Sequence, residues 1–289
     1  MLPVGPRDNV GSMWTIGEVR VTEIVELTTT SAAHWLLPDA TADRIREIGW
    51  MVPHYATPEG KVHMTIRALV VESEGRRILV DTCLGNDKQR PVESWSMRSG
   101  PFLDDLTAAG FPPESIDTVL CTHLHVDHVG WNTRLVDGAW VPTFRNARYL
   151  FADVEWEHWQ RDDSGMDQVL RADSIQPVID AGLVDLVATD AQLTSHVSLK
   201  PTPGHTPGHV SVVIESAGQR AVITGDLSHM VCQAAHPEWG SPFDTEPGRA
   251  EATRRAFFRE RADTDELVLG THWEPCAGYV RSDGDVWRV

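Results

Sequence analysis

Cys121-Thr-His-Leu-His-Val-Asp-His-Val-Gly130 places His123, His125, Asp127 and His128 within six positions, directly after the apolar run Asp117-Thr-Val-Leu-Cys-Thr122. The run reads as a buried strand, which puts the four side chains at its carboxyl end and on the loop beyond. Imidazoles and a carboxylate crowded together suit a borderline metal such as zinc. In extended backbone His123 and His125 point the same way, whereas the adjacent Asp127 and His128 diverge, so the spacing suggests two metals, not one. The plain alternative is a polar loop with surface histidines, but clustering these groups beside a buried strand is costly unless they are liganded.

Working outward, three later stretches supply what this loop lacks. Thr202-Pro-Gly-His-Thr-Pro-Gly-His209 follows a strand, and its Pro and Gly punctuation marks a tight, fixed loop. His205 is the candidate third ligand for the metal of His123 and His125. His209 is read as a hydrogen-bond partner behind the ligands, with the start of the next strand as the alternative. Val222-Ile-Thr-Gly-Asp-Leu227 is a buried strand ending in Gly-Asp, where the single carboxylate of Asp226 is placed to bridge two metals. Val268-Leu-Gly-Thr-His-Trp273 repeats the pattern with His272. Each strand delivers a metal-type residue just past its carboxyl end, the usual place for a site in an α/β sheet.

The rest of the chain predicts a layered α/β fold. Residues 14–27 alternate as a half-buried strand pair, and residues 64–72 and 77–81 form a hairpin across Ser-Glu-Gly. Helical spacing with a Gly stop covers 102–110. Further strands are expected at 147–151, 184–188, 197–201, 209–214, 220–224 and 266–269, with a closing pair at 278–280 and 286–289. Helices are expected at 41–48, 152–161, 167–181 and 247–261. Segment 28–60, with Trp35, Leu36, Leu37, Trp50, Met51 and Tyr55, is either a satellite cluster under a loop or part of a pocket wall; as an arm it also offers a homodimer contact. Residues 1–12 are expected to be disordered and residues 13–289 to form one hydrolase domain.

Composition narrows the function. The 289 residues are 41% hydrophobic and 23% charged, ordinary for a soluble globular protein. A net charge of −17, from 25 basic and 42 acidic residues, argues against nucleic acid and against an anionic membrane surface. Cys83, Cys121, Cys232 and Cys276 form no CxxC and read as reduced thiols of a cytoplasmic protein. The first ten residues carry no apolar signal-peptide core, and no apolar run approaches the ~20 residues that span a bilayer.

Taken together, His123-Leu-His-Val-Asp-His128, His205 in Pro-Gly-His-Thr-Pro-Gly-His, Asp226 in Thr-Gly-Asp and His272 resemble the metallo-β-lactamase superfamily over about residues 62 to 280. The resemblance implies a four-layer αββα sandwich with two Zn2+ at one edge. It assigns His123, His125 and His205 to one ion and Asp127, His128 and His272 to the other, with Asp226 bridging. The β-lactamases themselves lack the bridging Asp, and no basic, aromatic C-terminal segment of the glyoxalase II kind is present.

Two branches remain, the N-acyl homoserine lactonases and the methyl parathion hydrolase-like enzymes. Gly225-Asp-Leu-Ser-His229 followed by His236-Pro-Glu-Trp239 is more similar to the latter, since the lactonases tend to carry Tyr where this chain has His229. His229 is therefore either a substrate-facing donor or a structural imidazole.

The implied reaction is hydrolysis of small carboxylic esters, lactones or phosphotriesters by a metal-bridging hydroxide, with Asp127 or Asp226 passing a proton to the leaving group. An N-acyl homoserine lactonase is the first alternative. An iron-dependent oxygenase or a metal-dependent binding protein on the same scaffold is the second. Trp35, Trp50, Trp95, Trp131, Trp239 and Trp273, expected near the metal edge, suit an apolar or aromatic substrate.

Overall fold

The structure is a computed structural model that describes residues 10–161 and 165–289; the disorder expected for residues 1–9 lies outside the described residues. Its first sheet has seven strands. β1 (Val10–Ile16), β2 (Val19–Ser31), β3 (Val62–Ser73) and β4 (Arg76–Val80) run antiparallel in sequence. They continue in parallel through β5 (Thr118–Leu120) and, past a separate hairpin of β6 (Thr133–Val136) and β7 (Ala139–Pro142), through β8 (Arg148–Ala152) and β9 (Val184–Val187). The second sheet is β10 (Val197–Pro201), β11 (Val210–Ser216), β12 (Gln219–Ile223), β13 (Leu267–Leu269) and β14 (Ala277–Gly278), parallel only between β12 and β13. A hairpin of β15 (Arg281–Asp283) and β16 (Val286–Arg288) closes the chain.

Strand alternation builds the layers. On β4, Ile78 and Val80 face one way and Leu79 the other; on β12, Ala221 and Ile223 oppose Val222. Ile78, Val80, Leu120, Leu150, Val212 and Ile223 join in one apolar cluster between the two sheets. Leu79 and Val119 face outward onto α2 (Phe102–Ala108), α3 (Asp153–Arg161) and α5 (Gln176–Asp180) through Phe102, Leu106, Trp159 and Val178. Val213 and Val222 face outward onto α7 (Pro247–Arg261) through Phe257 and Phe258, in a cluster that also holds Ile45 of α1 (Ala42–Glu47) and Cys232 of α6 (Cys232–Ala235). These three apolar seams make the αββα sandwich.

Several expectations need correction. Residues 10–12 are not disordered: Val10 pairs with Ile24, and the Ser12 amide donates to Glu23 Oε2 at 3.0 Å. The helix expected over 167–181 is present as one run of α4 (Gly165–Leu170), a π-helical turn at Arg171–Ile175 and α5, with Pro177 just past the π turn. The closing strands do not pair as 278–280 with 286–289; Ala277–Gly278 pairs antiparallel with β13, and β15 takes the final strand. Both readings of segment 28–60 hold, with Leu37, Ile45 and Met51 in an apolar cluster and Trp35 and Leu36 in a cavity wall. Among the described residues no helix is long and apolar enough to cross a membrane.

Candidate metal centre

Four loops at the carboxyl ends of β5, β10, β12 and β13 converge at the edge between the two sheets. Ligand-type atoms of His123, His125 and His205 lie within 4.8 Å of one another, as do those of Asp127, His128 and His272. Asp226 stands between the groups. Its Oδ1 is 3.0 Å from His272 Nε2 and 3.3 Å from His128 Nε2, while its Oδ2 is 3.6 Å from His205 Nε2 and 3.8 Å from His123 Nε2. Asp127 reaches His272 Nε2 at 3.5 Å and His128 Nε2 at 3.7 Å. The seven residues singled out in the sequence therefore meet at one place.

The opposite nitrogens are held from behind. His128 Nδ1 lies 2.9 Å from Asp81 Oδ2, His205 Nδ1 2.9 Å from Asp244 Oδ1, and His272 Nδ1 3.0 Å from the Thr65 carbonyl. Each of those acceptors fixes the proton on Nδ1 and turns the Nε2 lone pair inward. His209 Nε2 accepts from the Asp226 amide at 2.8 Å, and its Nδ1 faces the Thr202 carbonyl at 3.1 Å. That approach needs Gly225, at φ +58°, because a Cβ there would sit 2.5 Å from His209 Nε2. Asp81 also accepts from the Thr122 amide at 2.8 Å, which ties the ends of β4 and β5 together.

The donor set fits metal cations. His128 Nε2 and His272 Nε2 face each other at 3.3 Å, a contact that needs a cation or a proton between them. His125 Nδ1 lies 3.0 Å from His123 Nε2 and 2.8 Å from His205 Nε2, and Asp226 Oδ1 is buried without a hydrogen-bond partner. Inward-facing lone pairs at such distances repel unless a cation or proton lies among them.

Protonation divides the residues. Burial pushes His123 and His205 well below the usual imidazole range and His125 down to about 4. His128 and His272 are raised, because Asp226, with Asp81 and Asp127 for His128 and Asp127 for His272, outweighs their burial. Burial alone would raise Asp226, but the surrounding His272, His128 and His229 hold its carboxyl well below the ordinary range.

His229 lies on the same floor. Its Nε2 is 3.3 Å from Asp226 Oδ2, and its Nδ1 is buried without a hydrogen-bond partner. Above it opens a cavity of about 830 Å³, lined by Leu27, Trp35, Trp95, Val126, Trp159 and Phe243 and floored by His125, Asp127, His205, Asp226, His229 and His272. Arg90 also reaches the wall, but Asp173 engages its guanidinium at 2.7 and 2.9 Å. Of the six tryptophans expected here, only Trp35 and Trp95 line the cavity. Trp131 stacks on Phe102, Trp239 on His236, Trp50 packs edge-on to Tyr55, and Trp273 donates to the Ser228 carbonyl.

Sequence reasoning missed Asp81, Asp244 and Trp159. Asp81 closes an apolar strand, which is a signal of the same kind as Asp226. Asp244 and Trp159 carry no spacing cue.

Residues 65–272 match the family model described as the metallo-beta-lactamase superfamily. The chain is 25% identical over 189 residues to an N-acyl homoserine lactonase from a Bacillus species, covering 60% of this chain and 68% of that protein. Among solved structures it is similar to AidC, a dizinc quorum-quenching lactonase, with a TM-score of 0.78, 22% identity and coverage of 98% and 97% of the two chains. It is also similar to AbOPH, a hydrolase in the beta-lactamase superfamily, with a TM-score of 0.78, 25% identity and coverage of 96% and 95%.

Proposed function

This chain belongs to the metallo-β-lactamase superfamily as a metal-dependent hydrolase, and from that premise we propose that it is a dinuclear zinc enzyme cleaving small, neutral, apolar esters, lactones or phosphotriesters. The observation that carries the reading is the two-sided Asp226, with one oxygen turned to each group of ligands beneath an apolar cavity. His123, His125 and His205 would hold one ion and Asp127, His128 and His272 the other. Bound there, such ions would polarise the scissile oxygen and lower the pKa of a water to roughly 7.

The chain's own residues supply the rest. Asp81, Asp244 and the Thr65 carbonyl fix imidazole orientation before substrate arrives. Leu27, Trp35, Trp95 and Phe243 exclude water around an apolar acyl or aryl group. Among the described residues the one arginine on the wall is paired with Asp173, which disfavours an anionic tail. His229 lines the cavity floor beside Asp226 and would hold the ester oxygen, while Asp127 or Asp226 would return a proton to the leaving group. We read residues 10–289 as one such domain, acting in the cytoplasm.

An N-acyl homoserine lactone is the second reading, favoured by the Bacillus relative and by a cavity roomy and apolar enough for an acyl chain. A panel of lactones, aryl esters and organophosphates, run on protein of measured metal content, separates the two. His123→Ala and Asp226→Ala should each lower turnover by at least about a thousandfold, in line with loss of charge stabilisation at the reacting oxygen. Unchanged turnover in either variant, or a coloured iron protein inactive on the whole panel, would overturn the hydrolase reading.

A further inference from the structure

Glu155 is almost wholly buried at 1% exposure, in the first turn of α3, and none of the ion pairs among the described residues involves it. A carboxylate in such a place needs strong hydrogen-bond donors to stay there. Its Oε1 accepts from the Leu124 amide at 3.1 Å and from Trp159 Nε1 at 2.9 Å, and its Oε2 accepts from the Gly208 amide at 3.1 Å. Leu124 sits between His123 and His125. Gly208 lies in the loop that carries His205, and a Cβ there would fall 2.2 Å from the Glu155 backbone nitrogen, so this loop rests directly on α3. Trp159 stands edge-on to His125 with ring centres 5.8 Å apart and forms part of the cavity wall.

We propose that Glu155 is a positioning residue for one metal only: its carboxylate fastens the turn of His123 and His125, the loop of His205 and the indole wall of Trp159 to a single point on α3. The inference rests on the reading above that these three imidazoles share an ion. Asp127, His128 and His272 receive no bond from Glu155, so its influence is confined to one half of the centre. Burial pushes the Glu155 carboxyl above its ordinary range, and the Thr206 hydroxyl together with the Trp159, Leu124 and Gly208 N–H groups acts against that push.

Glu155→Gln tests the proposal on the full chain. Both carboxylate oxygens accept backbone N–H groups, so in either orientation the amide NH2 of glutamine faces a donor. Chelator competition on the zinc-loaded protein should show one of two metal equivalents weakened by about tenfold or more, the other unchanged. In the same variant, amide exchange followed by NMR should accelerate at Leu124 and Gly208. It should not change at Thr122 and Asp226, whose amides are held by Asp81 and His209.

Glu155→Asp keeps the carboxylate one methylene shorter and should recover part of both effects; it also serves if the glutamine variant does not fold. Equal weakening of both equivalents, or unchanged exchange at Leu124 and Gly208, overturns the proposal. The exchange measurement stands without metal, so a wild-type chain that takes up a single ion would count against the dinuclear reading while Glu155 is still decided.

Discussion

His123 and His205, grouped with His125, approach one oxygen of Asp226, and His128 and His272, grouped with Asp127, approach the other, yet the two sets rest on different supports. In the first set burial dominates: its imidazoles are pushed down, so they present neutral lone pairs. Its loops are fastened by Glu155 and Asp244. In the second set carboxylates dominate: Asp226 and Asp127, joined by Asp81 at His128, raise both imidazoles. Its loop is fastened by the Thr65 carbonyl and, behind that, by Arg67. A neutral nitrogen set and a charged mixed set can hold like ions with different affinity and different proton release. The halves are therefore separable by the residue behind each, and a substitution behind one should leave the other standing.

Arg67 gives the largest expected effect. Its guanidinium is fully buried, with Nε 2.7 Å from Glu23, Nη2 2.8 Å from Glu274 and Nη1 donating to the Gly270 carbonyl at 3.0 Å. Glu274 also accepts from Thr65 Oγ1 at 2.7 Å, which joins the His272 loop to β3. Arg67→Met leaves Glu23 buried and unpaired, so chemical denaturation should show a loss of about 3–5 kcal/mol. Metal analysis should show the His272 equivalent leaving first. Stability within about 0.5 kcal/mol of wild type, the range of an ordinary surface substitution, would remove Arg67 from this account.

A matched pair of variants sharpens the contrast at lower cost to the fold. Asp244→Asn disturbs the acceptor of His205 Nδ1, and Asp81→Asn disturbs that of His128 Nδ1. Each should weaken one metal equivalent by about ten- to a hundredfold, and each a different one. Asp244 has the stronger call on its charge, since it also takes the Ser241 amide at 3.1 Å and Arg254 at 3.4 Å. If both variants weaken the same equivalent, Asp226 couples the halves too tightly for the comparison to hold.

The seven clustered side chains were legible in the sequence because each falls at a place where chain geometry leaves few options. His123 to His128 crowd a strand end, and Asp226 and His272 each follow an apolar run and a Gly. The supports were not legible. Glu155 sits beside Asp153 and Glu157 in a helix that reads as an ordinary acidic surface, and its partners lie 31 and 53 positions away. Asp244 reaches His205 across 39 positions with no periodicity to mark it. The hairpin of β6 and β7 did carry a signal, Asp137-Gly138 with φ of 51° and 80° between two strands, which is the turn chemistry of a two-residue hairpin. The π turn at residues 171–175 packs around Asp173, whose carboxylate holds Arg90 and whose carbonyl holds Lys88 at 2.9 Å, and helical spacing alone does not encode that.

The cavity wall should respond least, and in a different quantity. Trp35 is 40% exposed and packs edge-on against Trp95 with ring centres 6.1 Å apart, above the ligands and out of reach of their supports. Trp35→Ala removes apolar contact with bound substrate at a site that is already partly wet. A loss near 1 kcal/mol follows from the apolar area involved, or about fivefold in kcat/KM for an apolar acyl or aryl substrate. The loss should appear mainly in KM and shrink as the acyl or aryl group is shortened, with both metal equivalents unchanged. A variant that also sheds metal would mean that the wall helps to hold the ligand loops, and the division between binding surface and metal supports would fail at Trp35.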